Sequence, residues 1–315
     1  MAEPRVAIEL SAVVMAPLNG ETAVLTVHGP DQTLSGLPAG PFDPASDRTF
    51  ELALRNFVAR QTGLAMGFVE QLYTFGDAGR ETPQARTGSA GDDRVVSIGY
   101  LALAPAAKAP GAAGAVWRPW SDIFPYEDWR TGRPAVIDEV IAPWLAGWAG
   151  GDPARQIRAD TLFALNNRAI WRDERVLERY ELLYEAGLAL EAGRDQGQSP
   201  SGKGPALGLA LRSDHRRILA TGLGRLRGKL RYRPVIFDLL DEAFTLSQLQ
   251  KAVEAVIGQP LHKQNFRRGV ERAGLVERTG RIDTATGGRP AELFQRRDET
   301  VDQTQTLGLS LPIQR

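Results

Sequence analysis

The chain contains no cysteine and only three histidines among its 315 residues. Without cysteine there is no disulfide framework, no thiolate metal site and no cysteine nucleophile, which fits a protein of the reducing cytoplasm. The histidines His28, His215 and His262 are far apart in the sequence and show no metal-ligand spacing. The composition therefore excludes cysteine enzymes and cysteine-bound zinc, and we expect no metal site.

Long hydrophobic runs are also missing. The apolar stretch near the N-terminus, VAIELSAVVMAP, is interrupted by Glu9 and lacks the basic start of a signal peptide. No stretch reaches the ~20 apolar residues that a membrane-spanning helix needs. We therefore expect a cytoplasmic protein that makes no contact with a membrane.

The net charge of zero hides two unlike parts of the chain. The whole sequence carries 38 basic and 38 acidic residues, but residues 204–297 hold 18 Lys and Arg against 9 Asp and Glu. This segment therefore has a charge of +9, and the rest of the chain has −9. A basic module beside an acidic one suits phosphate contact by one part and a different task for the other.

Residues 232–297 have the element order of a winged helix-turn-helix, beginning with two short helices. The first follows Pro234, which suits a first helical position because it has no N–H to leave unpaired. Thr245 and Gln248 form the pattern of a capping box, and apolar residues at helical spacing then continue to Gly258. The pattern predicts one helix up to about residue 244 and a second between residues 245 and 258.

A third helix is predicted to end at Gly274 and to have one apolar and one polar side. At 100° per residue, Gln264, Arg267 and Arg268 fall roughly opposite Phe266. Amide and guanidinium groups are those that read base edges in the major groove of DNA. Two predicted strands, LVERTG and AELFQ, follow and are joined by a glycine-rich connection that we interpret as the wing.

The first 110 residues combine strand patterns with one helix. The runs VAIELSAVVMA, TAVLTVHG and VVSIGYLALAP are rich in β-branched residues and are bounded by turn residues. Between them a helix is predicted from about Asp47 to Thr62, stopped by Gly63. Residues 117–150 contain five of the six tryptophans, which fits either a core or a surface for stacking a nucleobase.

The middle of the chain predicts further helices and a linker. Apolar and charged residues alternate at helical spacing from Asp160 to about Glu191, which predicts a helix of some thirty residues, either bent or connecting. Residues 193–208 are rich in Gly, Ser and Pro and are expected to be a linker. A basic helix at 212–228 is expected to lead into the winged helix.

The stretch LPAGPFDPASDRTFELALRNFVARQTGL, residues 37–64, resembles a Nudix box, in which glutamates on a helix bind the metal. When Gly63 is aligned with the last glycine of the box, Asn56 takes the arginine position. Phe57 takes the first glutamate position, and Arg60 and Gln61 take the paired glutamates. Mg²⁺ needs carboxylate oxygens beside a pyrophosphate, so we predict no catalytic residue, no metal and no cofactor.

Together with the motifs LYTFGDAGR, RLRGKLRYRP, NFRRGVERAGLVERTG and GGRPAELF, this box makes the chain resemble the Nudix-related transcriptional regulators of NAD metabolism. It is most similar to a longer NAD-regulator subgroup that has the segment FPYEDWR. The resemblance implies a homodimeric regulator, usually a repressor, that binds a palindromic operator in double-stranded DNA. It implies target genes of NAD synthesis or recycling and release by a nucleotide effector such as ADP-ribose.

The expected fold is α+β, with an N-terminal Nudix-like α/β/α sandwich, a helical connecting region and a C-terminal winged helix-turn-helix. The ligand-sensing sandwich is assigned to residues 1–150, and the helical insert with its linker to 151–207. The DNA-binding domain is assigned to 208–297. Residues 298–315 are predicted to be a disordered tail.

The resemblance also assigns site residues, position by position. The expected DNA contacts lie before the first helix of the winged helix, on its third helix and at the wing: Arg227, Lys229, Arg231, Lys263, Gln264, Arg267, Arg268, Arg281 and Arg289. The expected contacts to the effector are Gly40, Arg55, Phe75 and Arg80, because an arginine fork matches two diphosphate oxygens. Two alternatives stay open here, in which Arg55 pairs with Glu51 and Phe75 belongs to the core.

Two other functions are weighed against regulation. The chain is an active Nudix hydrolase if carboxylates outside the box, such as Glu70, Asp122, Glu127 or Asp128, hold the metal. It is a scaffold protein if the winged helix binds protein instead of DNA. Release of AMP in the presence of Mg²⁺ identifies the first, and specific DNA binding excludes the second.

Overall fold

The computed structural model describes residues 6–29, 34–77, 94–104, 110–112, 114–197, 207–231, 235–283 and 290–297. Its N-terminal part is built on a six-stranded sheet of order β4-β5-β1-β2-β6, with β3 paired to β1. The strands are β1 (Val6–Leu18), β2 (Glu21–Val27), β3 (Ala39–Pro41), β4 (Val69–Phe75), β5 (Arg94–Leu103) and β6 (Ala115–Pro119). β1 and β5 are parallel, whereas the other described pairs are antiparallel.

One face of this sheet is covered by α1 (Phe50–Thr62), close to the predicted position. Thr49 caps its N-terminus and accepts a hydrogen bond from the N–H of Leu52, and Gly63, with φ of 72°, ends it. Successive residues of a strand face opposite sides of a sheet. Leu10, Ala12 and Val14 therefore share one face of β1, and they form a core with the buried side of α1.

The opposite face is covered by α7 (His215–Lys229), which completes an α/β/α sandwich. A Cβ atom on Gly222 of α7 would lie 3.0 Å from the side chain of Val13, so the helix approaches β1 closely. On β5, Gly99 likewise leaves room for Ile218. The sequence interpretation placed this basic helix with the DNA-binding domain, whereas it packs on the sheet of the sandwich and also contacts helices of the middle and C-terminal parts.

A helical region fills the middle of the chain, but the predicted thirty-residue helix is wrong. The helices are α2 (Trp120–Ile123), α3 (Ala142–Ala149), α4 (Pro153–Phe163), α5 (Val176–Glu185) and α6 (Leu190–Asp195). α4 ends because Ala164 adopts a left-handed conformation with φ of 48°. Asn166 then accepts hydrogen bonds from the backbone N–H groups of Arg168 and Ala169, and such Asx turns compete with helix.

The C-terminal part is a winged helix-turn-helix. A 3₁₀ helix (Val235–Leu239) precedes β7 (Ala243–Thr245), α8 (Leu246–Ile257), α9 (Lys263–Ala273), β8 (Val276–Asp283) and β9 (Ala291–Arg296). The sheet order is β7-β9-β8. The capping box of Thr245 and Gln248 is confirmed, as is the end of α8 at Gly258. The predicted first helix is shorter than expected because the chain enters β7 at Ala243 and pairs with β9.

No helix of the described residues is long and apolar enough to cross a membrane. The predicted linker overlaps residues 198–206, and the predicted tail covers 298–315; both of these stretches lie outside the described residues.

Candidate nucleic-acid interface and ligand site

The polar side of α9 is the main exposed basic surface of the winged helix. Phe266 and Val270 anchor the helix, since they are only 2% and 1% exposed. Lys263, Gln264 and Arg268 are exposed on the outer side of the helix. This arrangement leaves an ammonium, an amide and a guanidinium group available to a partner that fits a helix face, as the major groove of DNA does.

Two arginines of α9 differ in their surroundings. Arg268 donates a hydrogen bond from Nη2 to Oδ1 of Asn265 at 2.7 Å, which holds its guanidinium group close to the helix surface. Arg267 is half-buried, and its Nε has no hydrogen-bond partner among the described residues. Before any contact with DNA, the guanidinium group of Arg268 is therefore held by a hydrogen bond, whereas Nε of Arg267 is not.

The wing is formed by β8 and β9. Gly280 has φ of 73°, as the sequence predicted, and Arg281 is exposed beside it. Arg278, also exposed, pairs with Glu292 across the two strands at 3.2 Å. Arg289, predicted at the tip, lies outside the described residues.

The basic residues before the winged helix are not placed for DNA contact, and this corrects the prediction for Arg227 and Lys229. Arg227 is fully buried, and Lys229 is 5% exposed and forms an ion pair with Glu70. Arg231 is exposed but forms ion pairs with Asp173 and Glu174. Their partners lie 57 to 159 residues away in the sequence, so a reading of the local charge run could not identify them.

A buried charge cluster, formed by Glu127, Arg179 and Arg227, lies where the sandwich, the helical region and the winged helix meet. Glu127 accepts hydrogen bonds from Arg179 at 2.5 and 2.9 Å and from Arg227 at 2.6 Å, and all three side chains have no exposed surface. Arg227 also donates to the carbonyl of Val256 in α8 at 2.9 Å. The cluster thus ties the tryptophan-rich segment, α5, α7 and the end of α8 together.

Two backbone contacts strengthen the same junction. The indole N–H of Trp120 donates to the carbonyl of Ala255 at 2.7 Å. The backbone N–H of Trp129 donates to the carbonyl of Gly258 at 2.6 Å. A Cβ on Gly258 would meet the carbonyl of Glu127 at 2.5 Å. The sequence analysis missed this junction, although Glu127, one of the two acidic residues inside FPYEDWR, was a signal for it.

The residues that the resemblance aligns with the glutamates of the Nudix box, Phe57, Arg60 and Gln61, are engaged in contacts with their neighbours. Phe57, only 8% exposed, packs on Gly40, where a Cβ would lie 2.7 Å from the ring. The guanidinium group of Arg60 lies 5.0 Å from the centre of that ring. Gln61 donates to the carbonyl of Ala39 at 2.7 Å and accepts from its N–H at 3.1 Å. An aromatic ring and a cation therefore stand where a metal would need carboxylates.

The residues predicted to bind the effector do not form one site among the described residues. Arg55 donates to Glu51 at 2.9 Å and to the carbonyls of Met66 and Gly67, so its guanidinium group is engaged. Phe75, 4% exposed, packs beside α7 on the opposite face of the sheet from α1. Arg80 lies outside the described residues. Arg55 therefore pairs with Glu51 and Phe75 belongs to the core, which are the two alternatives to ligand binding that the sequence left open.

The loop that leads into the Nudix-like box, residues 34–38, is hydrogen-bonded to the start of α7, and we call it the box-entry loop. The N–H of Leu37 donates to Nδ1 of His215 at 2.8 Å, and the N–H of Arg212 donates to the carbonyl of Ser35 at 3.0 Å. Burial lowers the pKa of His215 well below its usual value, and the positive charges of Arg212 and Arg194 lower it further. α7 therefore contacts the loop at one end and the buried charge cluster at the other.

The carboxylates that a hydrolase would need are not gathered. Glu127 belongs to the buried charge cluster, Glu70 pairs with Lys229, and Asp128 accepts hydrogen bonds from Arg130 at 2.7 and 2.8 Å. In the part of the chain that the structure describes, no group of three or more His, Cys, Asp or Glu could hold a metal ion.

Comparison with known proteins agrees with this geometry. The family model of the NrtR DNA-binding winged helix domain matches residues 236–295. This segment is therefore similar to the NrtR winged helix domains. A curated relative, the ADPR-responsive transcriptional repressor NtrR of Acinetobacter baylyi, is 39% identical over 90 residues, which are 29% of this chain and 36% of that protein. The match thus spans about a third of the relative.

Two solved structures share the whole architecture. NrtR of Shewanella oneidensis, in complex with a 27mer DNA, matches 92% of this chain and 93% of its own, with a TM-score of 0.54 and 22% identity. A MutT/nudix family protein of Enterococcus faecalis matches 94% of this chain and 88% of its own, with a TM-score of 0.52 and 14% identity. The fold is thus a Nudix-like sandwich followed by a winged helix, which confirms the expected fold class.

Proposed function

We propose that this protein is a ligand-responsive transcriptional repressor that binds double-stranded DNA through α9 and the wing. The observation that carries the proposal is the exposed polar side of α9, with Lys263, Gln264 and Arg268, inside a segment that matches the NrtR winged helix family. Arg267 and Arg281 complete the proposed contacts among the described residues. We leave Arg227, Lys229 and Arg231 out because their charges are paired within the protein.

The proposed effector is ADP-ribose, bound by the Nudix-like sandwich without a metal. The description of the Acinetobacter baylyi relative as ADPR-responsive supports this choice. Hydrolysis is not part of the proposal, because Phe57, Arg60 and Gln61 stand at the positions where Nudix enzymes have glutamates. We further propose a homodimer that acts in the cytoplasm on palindromic operators of NAD synthesis or recycling genes.

α7 gives the proposed response a physical route. The helix contacts the box-entry loop through His215 and holds the end of α8 through Arg227. A ligand that prefers one position of that loop favours one position of the winged helix, and it weakens DNA binding by the difference in its affinity for the two states. In the proposed dimer, the two α9 helices would then no longer match successive major grooves, and the dimer would lose affinity for the operator.

The decisive experiment is a fluorescence-anisotropy titration of the full chain on DNA from its own upstream region, with and without ADP-ribose. We expect sequence-specific binding that ADP-ribose weakens, with a log-log salt slope near −0.9 per phosphate contacted. Absence of specific binding would overturn the proposal. Specific binding that ADP-ribose leaves unchanged would keep the DNA-binding function and remove the effector.

A charge-matched pair of variants locates the interface. Arg267→Ala with Arg268→Ala should weaken operator binding by about 30-fold or more, since each base contact contributes ~1–3 kcal/mol. Arg158→Ala with Arg168→Ala removes the same charge outside the winged helix and should change affinity far less. Equal losses in both double variants would show that only the overall charge matters.

A further inference from the structure

A cavity of about 220 Å³ lies at the seam between the sandwich and the winged helix. We call it the seam cavity. The turn between β1 and β2 forms one wall, and the segment from the 3₁₀ helix into α8 forms the other. Its apolar lining includes Pro17, Leu239, Leu240, Phe244, Ala252 and Ala255. An apolar cavity of about 150 Å³ already holds benzene, so this one has room for a branched aliphatic side chain.

The C-terminal tail carries side chains that suit such a cavity. Within residues 298–315, which lie outside the described residues, four apolar side chains alternate with smaller or polar residues. They are Leu307, Leu309, Leu311 and Ile313. In an extended backbone, alternate side chains point to the same side, so these four can present one apolar edge. The winged helix supplies most of the apolar lining of the seam cavity, and the sandwich adds Pro17 beside the polar residues Glu21 and Thr22.

The tail begins next to the cavity. Phe244, which lines the cavity, pairs directly with Phe294 of β9, three residues before Arg297. The N–H of Arg297 donates to the carbonyl of Leu275 at 3.0 Å, which fixes where the described chain ends. The ten steps from Arg297 to Leu307 span up to about 33 Å when extended. The connection is therefore long enough for Leu307 and the residues after it to reach the cavity of the same chain.

We propose that residues 306–313 dock into the seam cavity of their own chain and act as a latch between the sandwich and the winged helix. Because the tail and the cavity belong to one chain, a short connection gives the tail a high effective concentration, in the millimolar range, at the cavity. The latch does not depend on the proposed DNA-binding function.

The absence of cysteine from the chain makes disulfide trapping a clean test. Lys251→Cys lies on the exposed rim of the cavity, and Leu309→Cys lies in the tail. The matched control joins Leu309→Cys to Glu271→Cys, an exposed position of α9 close to where β9 ends. Docking should make the cavity pair form its disulfide about tenfold faster than the control pair under mild oxidation, because docking concentrates the tail at the rim.

Three outcomes overturn the latch. Equal rates for the two pairs would mean that the tail samples both positions alike, and a faster control pair would place the tail elsewhere. A disulfide formed mainly between two chains, seen as a doubled mass on a non-reducing gel, would assign the cavity to the tail of a second copy. Circular dichroism of the reduced variants verifies that each cysteine leaves the fold intact.

A second measurement tests the apolar edge itself. With Lys251→Cys and Leu307→Cys as the reporter pair, Leu309→Asp with Leu311→Asp should remove most of the rate advantage, because the seam cavity is mainly apolar. Thr304→Asp with Gln305→Asp adds the same charge just before the docked segment and should preserve most of the advantage. If the leucine variants react as fast as the parent pair, the tail is not held by these side chains.

Discussion

His215 is a single residue whose chemistry depends on its position in the fold. Its side chain is almost fully buried at the start of α7, where Nδ1 accepts a hydrogen bond from Leu37 at 2.8 Å. Burial is the largest cause of its lowered pKa, and the charges of Arg212 and Arg194 add to the effect. The imidazole is therefore neutral in the folded protein, and its role is to hold the box-entry loop.

This neutral state predicts a loss of stability in acid. Above the ordinary pKa of 6.5, His215 is neutral in both the folded and the unfolded chain. As the pH falls below that value, the unfolded chain binds a proton that the folded chain does not. The contribution of His215 to the free energy of unfolding then decreases by up to about 1.4 kcal/mol per pH unit, until the pH reaches the pKa of His215 in the folded protein.

Denaturant unfolding of the parent chain and of His215→Asn, measured between pH 7.5 and 5, checks this contribution. Asparagine keeps an acceptor near the position of Nδ1 and removes the titration, so the variant should lose less stability on acidification. His262→Asn changes an exposed histidine and should keep the parent slope. If His215→Asn also keeps the parent slope, another group causes the acid sensitivity.

At the scale of the element, α9 presents two side chains suited to different bases. Gln264 and Arg268 are four residues apart and lie one turn apart on the exposed side of the helix. An amide pairs with adenine and a guanidinium group with guanine in the major groove. The hydrogen bond from Arg268 to Asn265 at 2.7 Å already positions the guanidinium group in the absence of DNA.

We predict that the two residues determine specificity at two different operator positions. Gln264→Ala should reduce discrimination at an A·T pair, and Arg268→Ala should reduce it at a G·C pair, each by ~1–3 kcal/mol. Anisotropy titrations against operators with single base-pair substitutions measure both effects. Lys263→Ala should weaken binding to all sequences alike, as a phosphate contact does. If each alanine variant keeps the parent base preferences, α9 does not read bases through these two side chains.

At the scale of the whole molecule, the buried charge cluster joins domains that the sequence presents as separate. Glu127 comes from the tryptophan-rich segment, Arg179 from α5 and Arg227 from α7, and Arg227 also reaches the carbonyl of Val256 in α8. Removing one member of a buried ion pair leaves the others charged and uncompensated, which costs much more than losing an exposed pair. The carboxylate of Glu127 therefore contributes to the relative position of the two domains, together with the hydrogen bonds of Trp120 and Trp129 to the end of α8.

Glu127→Gln should lower the free energy of unfolding by ~3–5 kcal/mol, because it removes the carboxylate that both buried guanidinium groups contact and leaves Asp173 as a nearby acid for Arg227 only. Denaturant unfolding followed by tryptophan fluorescence measures the change. Glu178→Gln removes an exposed carboxylate of α5 and should stay within about 0.5 kcal/mol of the parent. A loss below about 1 kcal/mol for Glu127→Gln would show that water or neighbouring groups compensate the arginines.

The correct sequence predictions are those that depend on neighbours within a few residues. The Thr245 capping box and the glycine ends of α1, α8 and α9 are confirmed, since each motif involves residues no more than four positions apart. The thirty-residue helix is wrong because periodicity continued across Ala164 and Asn166, where backbone conformation and a side-chain turn stop the helix. Local patterns therefore predicted where elements occur better than where they are interrupted.

Local spacing and residue identity were enough to predict the element order of the winged helix and the polar side of α9, because both depend on neighbours along the chain. Which basic residues are exposed depends instead on contacts between distant segments. Arg268 and Arg227 look alike in sequence, yet one is exposed and the other is buried against Glu127. The reason is physical: a charge is buried only where distant segments bring it a partner, and folding alone brings those segments together.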